Sequence, residues 1–281
     1  SGDVMESKKL THQSVKLQPQ PQSVALLIGA LMLVMLLSAL DQTIVSTALP
    51  TIVGEFGGLD KLTWVVTAYT LSSTIAVPLY GKFGDLFGRK KMLQISIVLF
   101  LLGSMLCGLA QSMTQLVWTR ALQGLGGGGL MVVSMAAVAD IISPAERGRY
   151  QGWFGGVFGL ATILGPLIGG FMVEHVSWRW IFYINLPLGL LSLIIIGTVF
   201  KTASKRNQHE IDYPGAFCLS LALVGITLFT SEGGTVHEWS DPKLWCILAF
   251  GIVGVIGFIH EERLAIEPIL PLSLFRNRSF S

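Results

Sequence analysis

The sequence predicts an all-α membrane protein that crosses the bilayer eight times, and three observations carry that prediction. Of 281 residues, 52% are apolar and only 13% charged, with 32 glycines; this is too greasy for a soluble domain of that length and suits packed transmembrane helices. Residues 62–81 and 92–119 contain no Asp, Glu, Lys or Arg, and each run is long enough to cross roughly 30 Å of hydrocarbon as a helix. The basic residues are also partitioned. Fifteen of the 19 Lys and Arg fall in segments that would share one face, Lys61, Arg179 and Lys243 lie on the other, and Arg120 sits inside a span. The positive-inside rule places the richer face, and both ends of the chain, in the cytoplasm.

In chain order, residues 1–22 are polar and rich in Pro and Gln, and read as a disordered cytoplasmic tail. The apolar run that follows lacks the short length and cleavage site of a signal peptide, so it is expected to stay attached as the first span. The spans are expected at about 23–51, 62–81, 92–111, 114–139, 150–173, 179–200, 213–231 and 244–260. The first six form one unit, residues 23–200. A basic linker at 201–212 leads to two further spans within 213–260, and 261–281 form a closing cytoplasmic segment. Spans 2 and 3 are joined by a charged turn from Gly81 to Lys91 that carries Lys82, Arg89, Lys90 and Lys91 against one acid, Asp85. Asp85 and Arg89 are four apart, near enough to pair if the turn is helical.

Asp41 and Arg120 are the only ionisable side chains expected well within the hydrocarbon. A charge there costs several kcal/mol, so such residues normally face a cavity and find partners. Counted from the outer ends of spans 1 and 4, an arginine side chain can bridge their difference in depth if the two spans are neighbours. A pair of this kind is a natural place to exchange a proton for a cation. Span 5 carries Gly152, Gly155, Gly156, Gly159, Gly165, Gly169 and Gly170, whose small-x-x-x-small spacings predict a crowded helix contact, and Pro166 beside them suggests a bend or hinge.

Several other classes are excluded. Gly124, Gly126 and Gly129 spell a dinucleotide-binding pattern, but inside a span with no preceding strand, and no phosphate-loop Gly-Lys-Ser/Thr occurs; no nucleotide cofactor is expected. Cys107, Cys218 and Cys246 lie in apolar runs without metal-ligand spacing and read as buried thiols. The five histidines lie in the tail, loops or a helix end, so an intramembrane hydrolase lacks its base or metal cluster. A net charge of +2 spread over membrane-facing loops gives no patch for nucleic acid.

Several motifs resemble the major facilitator superfamily of transporters. Gly81, Gly84, Asp85, Gly88 and Arg89 match its loop between helices 2 and 3. Asp41-Gln42-Thr43 with Ala48-Leu49-Pro50 resembles the helix-1 signature of fourteen-helix drug:proton antiporters of the EmrB/QacA type. Arg120-Ala121-Leu122-Gln123-Gly124 resembles the helix-4 signature, and Gly152, Gly156, Gly165, Pro166, Gly169 and Gly170 the antiporter helix-5 pattern. Ser177 to Gly189 resembles the helix 5–6 junction, and the segment from Glu267 to Phe280 the lead-in to a second six-helix half. Ala161 stands where the antiporter pattern has a middle glycine, and Leu86 and Lys90 replace common arginines in the loop.

The resemblance implies an N-terminal bundle of two inverted three-helix repeats plus two extra transmembrane helices, with a C-terminal half missing from this sequence. It implies proton-coupled efflux of lipophilic or cationic small molecules across the cytoplasmic membrane by alternating access, with no enzyme chemistry and no cofactor beyond the proton gradient. Asp41 and Arg120 would couple proton to substrate, and the loop around Asp85 would act as a conformational latch. Two alternatives stay open: the same fold exporting a lipid, sugar or siderophore, and a non-transporting membrane scaffold.

Overall fold

A computed structural model describes residues 21–201, 212–266, 268–270 and 272. The expected tail up to residue 20, linker residues 202–211, and residues 267, 271 and 273–281 of the closing segment lie outside the described residues. The helices are α1 (Pro21–Phe56), α2 (Leu62–Phe87), α3 (Arg89–Leu109), α4 (Met113–Ile141), α5 (Arg147–His175), α6 (Trp180–Tyr183), α7 (Asn185–Val199), α8 (Tyr213–Glu232) and α9 (Pro242–Leu264). Eight helical stretches among the described residues are long and apolar enough to cross a membrane, the sixth being α6 and α7 together.

Hydropathy marks where the bilayer ends, whereas the helix ends where its backbone bonding stops, and the two differ here. The first helix runs to Phe56, five residues past the expected end at Thr51. The expected turn from Gly81 to Lys91 is a correction of the same kind. Gly81 to Phe87 continue α2, α3 begins at Arg89, and the chain reverses at Gly88 alone, whose φ of 96° strains any side chain. The fifth helix is continuous through Pro166.

Glycine determines which helices touch. In lipid there is no hydrophobic drive between helices, so close backbone packing decides the contact. The glycine run of α4 wedges that helix between α2 and α3: a Cβ on Gly124 would collide with Tyr69 and Ser72, one on Gly126 with Ser96 and Phe100, and one on Gly128 with the carbonyl of Ser73. The first helix packs on α5, α7 and α4, and α3 also meets α7. The last two helices form a hairpin closed by Gly225 against Gly251 and by Gly254 against Ala222, and α8 rests on α2. At the hairpin's outer end Asp241 caps α9; the backbone N–H of Lys243, together with His237, holds its carboxyl below the usual range.

Two apolar clusters fill the six-helix bundle. One contains Leu31, Val34, Met35 and Leu37 of α1, Leu93, Ile97 and Leu101 of α3, and Leu130 and Val133 of α4. The other contains Ile44, Val45 and Ala48 of α1, Cys107 of α3, Leu116 of α4 and Phe182 of α6. On each of α1, α3 and α4 a short stretch is left between the clusters. That gap holds Asp41, Ser104, Arg120 and Gln123, all buried.

Candidate functional site

The polar layer closes around Asp41, whose side chain is fully buried. Arg120 Nη1 donates to Asp41 Oδ2 (2.7 Å) and to Gln123 Oε1 (2.7 Å), while Gln123 Nε2 donates to Asp41 Oδ1 (2.8 Å). Three side chains thus form a closed ring. Asn185 Nδ2 donates to Ser104 Oγ (2.8 Å) and, more loosely, to Asp41 Oδ1 (3.4 Å); Ser104 in turn donates to the carbonyl of Phe182 (2.7 Å). Arg120 also donates from Nε to the Val65 carbonyl (3.2 Å), and its guanidinium lies 4.2 Å from the centre of the Tyr69 ring. The carboxylate therefore accepts from three donors, one of them charged. The cation keeps a carbonyl, an amide oxygen and an aromatic face in addition to its counter-ion.

Local sequence explains the placement. Arg120 and Gln123 are three apart and share one face of α4, which the glycine run presses against α2 and α3. Asn185 opens α7, directly after Ile184, whose helical backbone (φ −61°, ψ −23°) carries α6 into α7 as one span. Asp41 and Arg120 stand out in the sequence because they are charged. Gln123 and Asn185 carry no charge and lay unremarked within motifs, although Asn185 is a lone amide in an otherwise apolar span.

The connection between α2 and α3 forms a second cluster. Arg89 pairs with Asp85 through Nη2 and with Asp140 at the end of α4 through Nε (3.1 Å), and Nη1 reaches the Gly81 carbonyl (3.5 Å). Gly84 lies under the Arg89 side chain, whereas Gly81 and Gly88 face open space. Asp140 was not anticipated. Both acids are more than half exposed.

The fifth helix corrects an expectation. Gly165 meets Thr43 of α1 and Gly169 meets Ile44 and Thr47, and Thr43 Oγ1 donates to the carbonyl of Ala161 (3.1 Å). A Cβ on Gly152, Gly155, Gly156, Gly159 or Gly170 would meet open space. The crowded contact is thus confined to the C-terminal half of α5. In the N-terminal half Gly152 and Gly156 line an open cleft of about 570 Å³ with Met32, Arg149 and Trp153. Among the described residues no group of three or more His, Cys, Asp or Glu is arranged to hold a metal ion.

A bundle of membrane-length helices around a buried carboxylate and arginine defines an integral membrane protein. The model of the Major Facilitator Superfamily matches residues 31–278, and the chain belongs to that family. It is a multi-pass membrane protein. It is 41% identical over 256 residues to the multidrug transporter protein MdtP of Bacillus subtilis, covering 91% of this chain and 47% of the relative. It is 39% identical over 251 residues to multidrug resistance protein 3 of the same organism, covering 89% and 49%. Efflux pump FUS6 of Gibberella moniliformis is 37% identical over 283 residues, covering 96% and 50%. The chain spans about half the length of these relatives. Among solved structures, the human organic anion transporter MFSD10 shares the fold with a TM-score of 0.57 at 17% identity, over 89% of this chain and 74% of that one.

Proposed function

We propose that this chain is the N-terminal part of a proton-coupled exporter that exchanges protons for lipophilic or cationic small molecules across the cytoplasmic membrane, with its N-terminus in the cytoplasm. The observation that carries the reading is Asp41, fully buried between two apolar clusters and tied to Arg120 and Gln123. A carboxylate placed only to hold helices together is a poor investment, since a buried ion pair is weak evidence for stability. Here each partner also has an alternative. Once Asp41 takes a proton it loses its hold on Arg120, and the cation still has the Val65 carbonyl, the Gln123 amide oxygen and the Tyr69 ring. These remaining partners lessen, without removing, the cost of a neutral carboxyl beside the buried cation, as a coupling site requires. The names of the bacterial relatives, multidrug transporter and multidrug resistance protein, support small-molecule substrates, and the motif resemblance adds their lipophilic or cationic character.

In the cycle that follows, Asp41 is ionised when substrate arrives from the cytoplasm and is protonated from outside as substrate leaves. Each inward proton contributes about 1.4 kcal/mol per pH unit and about 2.3 kcal/mol per 100 mV. The second half of the transporter completes the path, in the fourteen-helix arrangement that the sequence resembles. The test is transport by the full-length protein in vesicles under an imposed pH gradient, with a panel of cationic and neutral compounds. Export that proceeds without a pH gradient or membrane potential would end the proposal.

A further inference from the structure

The guanidinium of Arg120 offers five N–H donors in a rigid fork. Val65 takes Nε, and Asp41 and Gln123 take the two on Nη1. Among the described residues no hydrogen bond engages Nη2, yet Nη2 is not one of the enclosed atoms left without a partner. It is reached from the cavity that Arg120 lines, a half-open space of about 240 Å³ between α1 and α2. Gln42 of α1 and Thr70, Ser73 and Thr74 of α2 also line it. The three hydroxyl residues share one face of α2, spaced three and four apart. Thr70 and Thr74 lie eight and twelve residues into that helix, roughly 12 and 18 Å from its outer end. Gln42 and Thr70 are exposed. The Thr70 and Thr74 hydroxyls each donate to a carbonyl of their own helix, but the Gln42 amide has no partner among the described residues, and hydrocarbon gives an exposed amide none at such depth, so this face borders water, ligand or protein.

We infer that this cavity is a substrate subsite for an uncharged hydrogen-bond acceptor, a ketone, ester or amide oxygen carried by an otherwise apolar molecule, received by Arg120 Nη2 and the Gln42 amide. The inference rests on the export reading and deepens it. An acceptor at Nη2 and Asp41 at Nη1 share one guanidinium, so occupancy of the subsite and the charge on Asp41 become linked.

Two triphenylphosphonium cations of equal length, one with a ketone in its side arm and one with a methylene there, test this on the full-length transporter in detergent. The ketone cation should bind about tenfold more tightly, as one charge-assisted hydrogen bond implies. Gln42→Leu should reduce that preference. Equal affinity in the wild type, a preference that survives Gln42→Leu, or no binding of either cation by protein that exports other compounds sinks the subsite alone. Wild-type vesicles that export nothing under a pH gradient sink the export reading and the subsite with it. Independently, Thr74→Cys should react with a charged thiol reagent and be protected by the ketone cation. A rate no faster than that of Leu102→Cys, on the exposed apolar face of α3, would count against the subsite.

Discussion

Replacing Asp41 by Asn leaves Arg120 buried without its counter-charge, and breaking such a pair costs about 3–5 kcal/mol. Two effects are therefore mixed in that variant, a loss of stability and a loss of the proton site. Adding Arg120→Gln removes the stranded cation, so the double variant should recover most of the thermal stability while gradient-driven export stays absent. Recovery of both would show the pair to be structural. Proton release on adding a cationic substrate to solubilised protein should be present in the wild type and missing in Asp41→Asn. Arg120→Lys keeps the charge but loses the planar fork that reaches Asp41, Gln123 and Val65 together, and its transport should have a shifted pH optimum. Charge made two members of this site visible in the sequence. The neutral members were not, because an amide inside an apolar run looks the same whether it faces lipid or a carboxylate; only the packing of α4 on α2 and α3 and of α7 on α1 and α3 settles that.

Individual helices give a sharper contrast. Gly165 lies against Thr43, and a side chain there meets the neighbouring helix at once, whereas Gly156 faces the open cleft. Gly165→Leu should cost about 1–3 kcal/mol through overpacking, seen as a lower Tm in detergent, and Gly156→Leu should leave Tm unchanged. Glycine spacing alone could not separate these positions, since both fit the same repeat. At the connection between α2 and α3 Arg89 has two acidic partners, both largely exposed, and each exposed bridge contributes about 0–1 kcal/mol. Asp85→Asn should consequently shift the ratio of inward- to outward-facing protein by no more than about fivefold, and the pair Asp85→Asn with Asp140→Asn by more. Accessibility labelling from the two sides measures that ratio, and identical ratios in all three proteins would exclude a latch. The charge count of this loop was readable from the sequence. Its helical course was not, because residues outside the hydrocarbon can continue a helix without any apolar signature.

For the molecule as a whole, the number of spans was legible because the bilayer imposes a length and a polarity on each of them, and which helices touch was legible least. The α8–α9 hairpin closes on itself through Gly225, Gly251 and Gly254 and meets the bundle through α2. It leaves and re-enters the membrane on the same side. Its presence or absence therefore does not change the parity of the chain: whatever follows starts from the same face with either six or eight spans ahead of it. A unit of this kind can be gained or lost in evolution in one step without turning the remainder of a transporter inside out, whereas a single inserted helix could not. A full-length protein with the hairpin deleted and a short linker in its place should accordingly keep the orientation of every later loop, which side-specific labelling of cysteines in those loops would show.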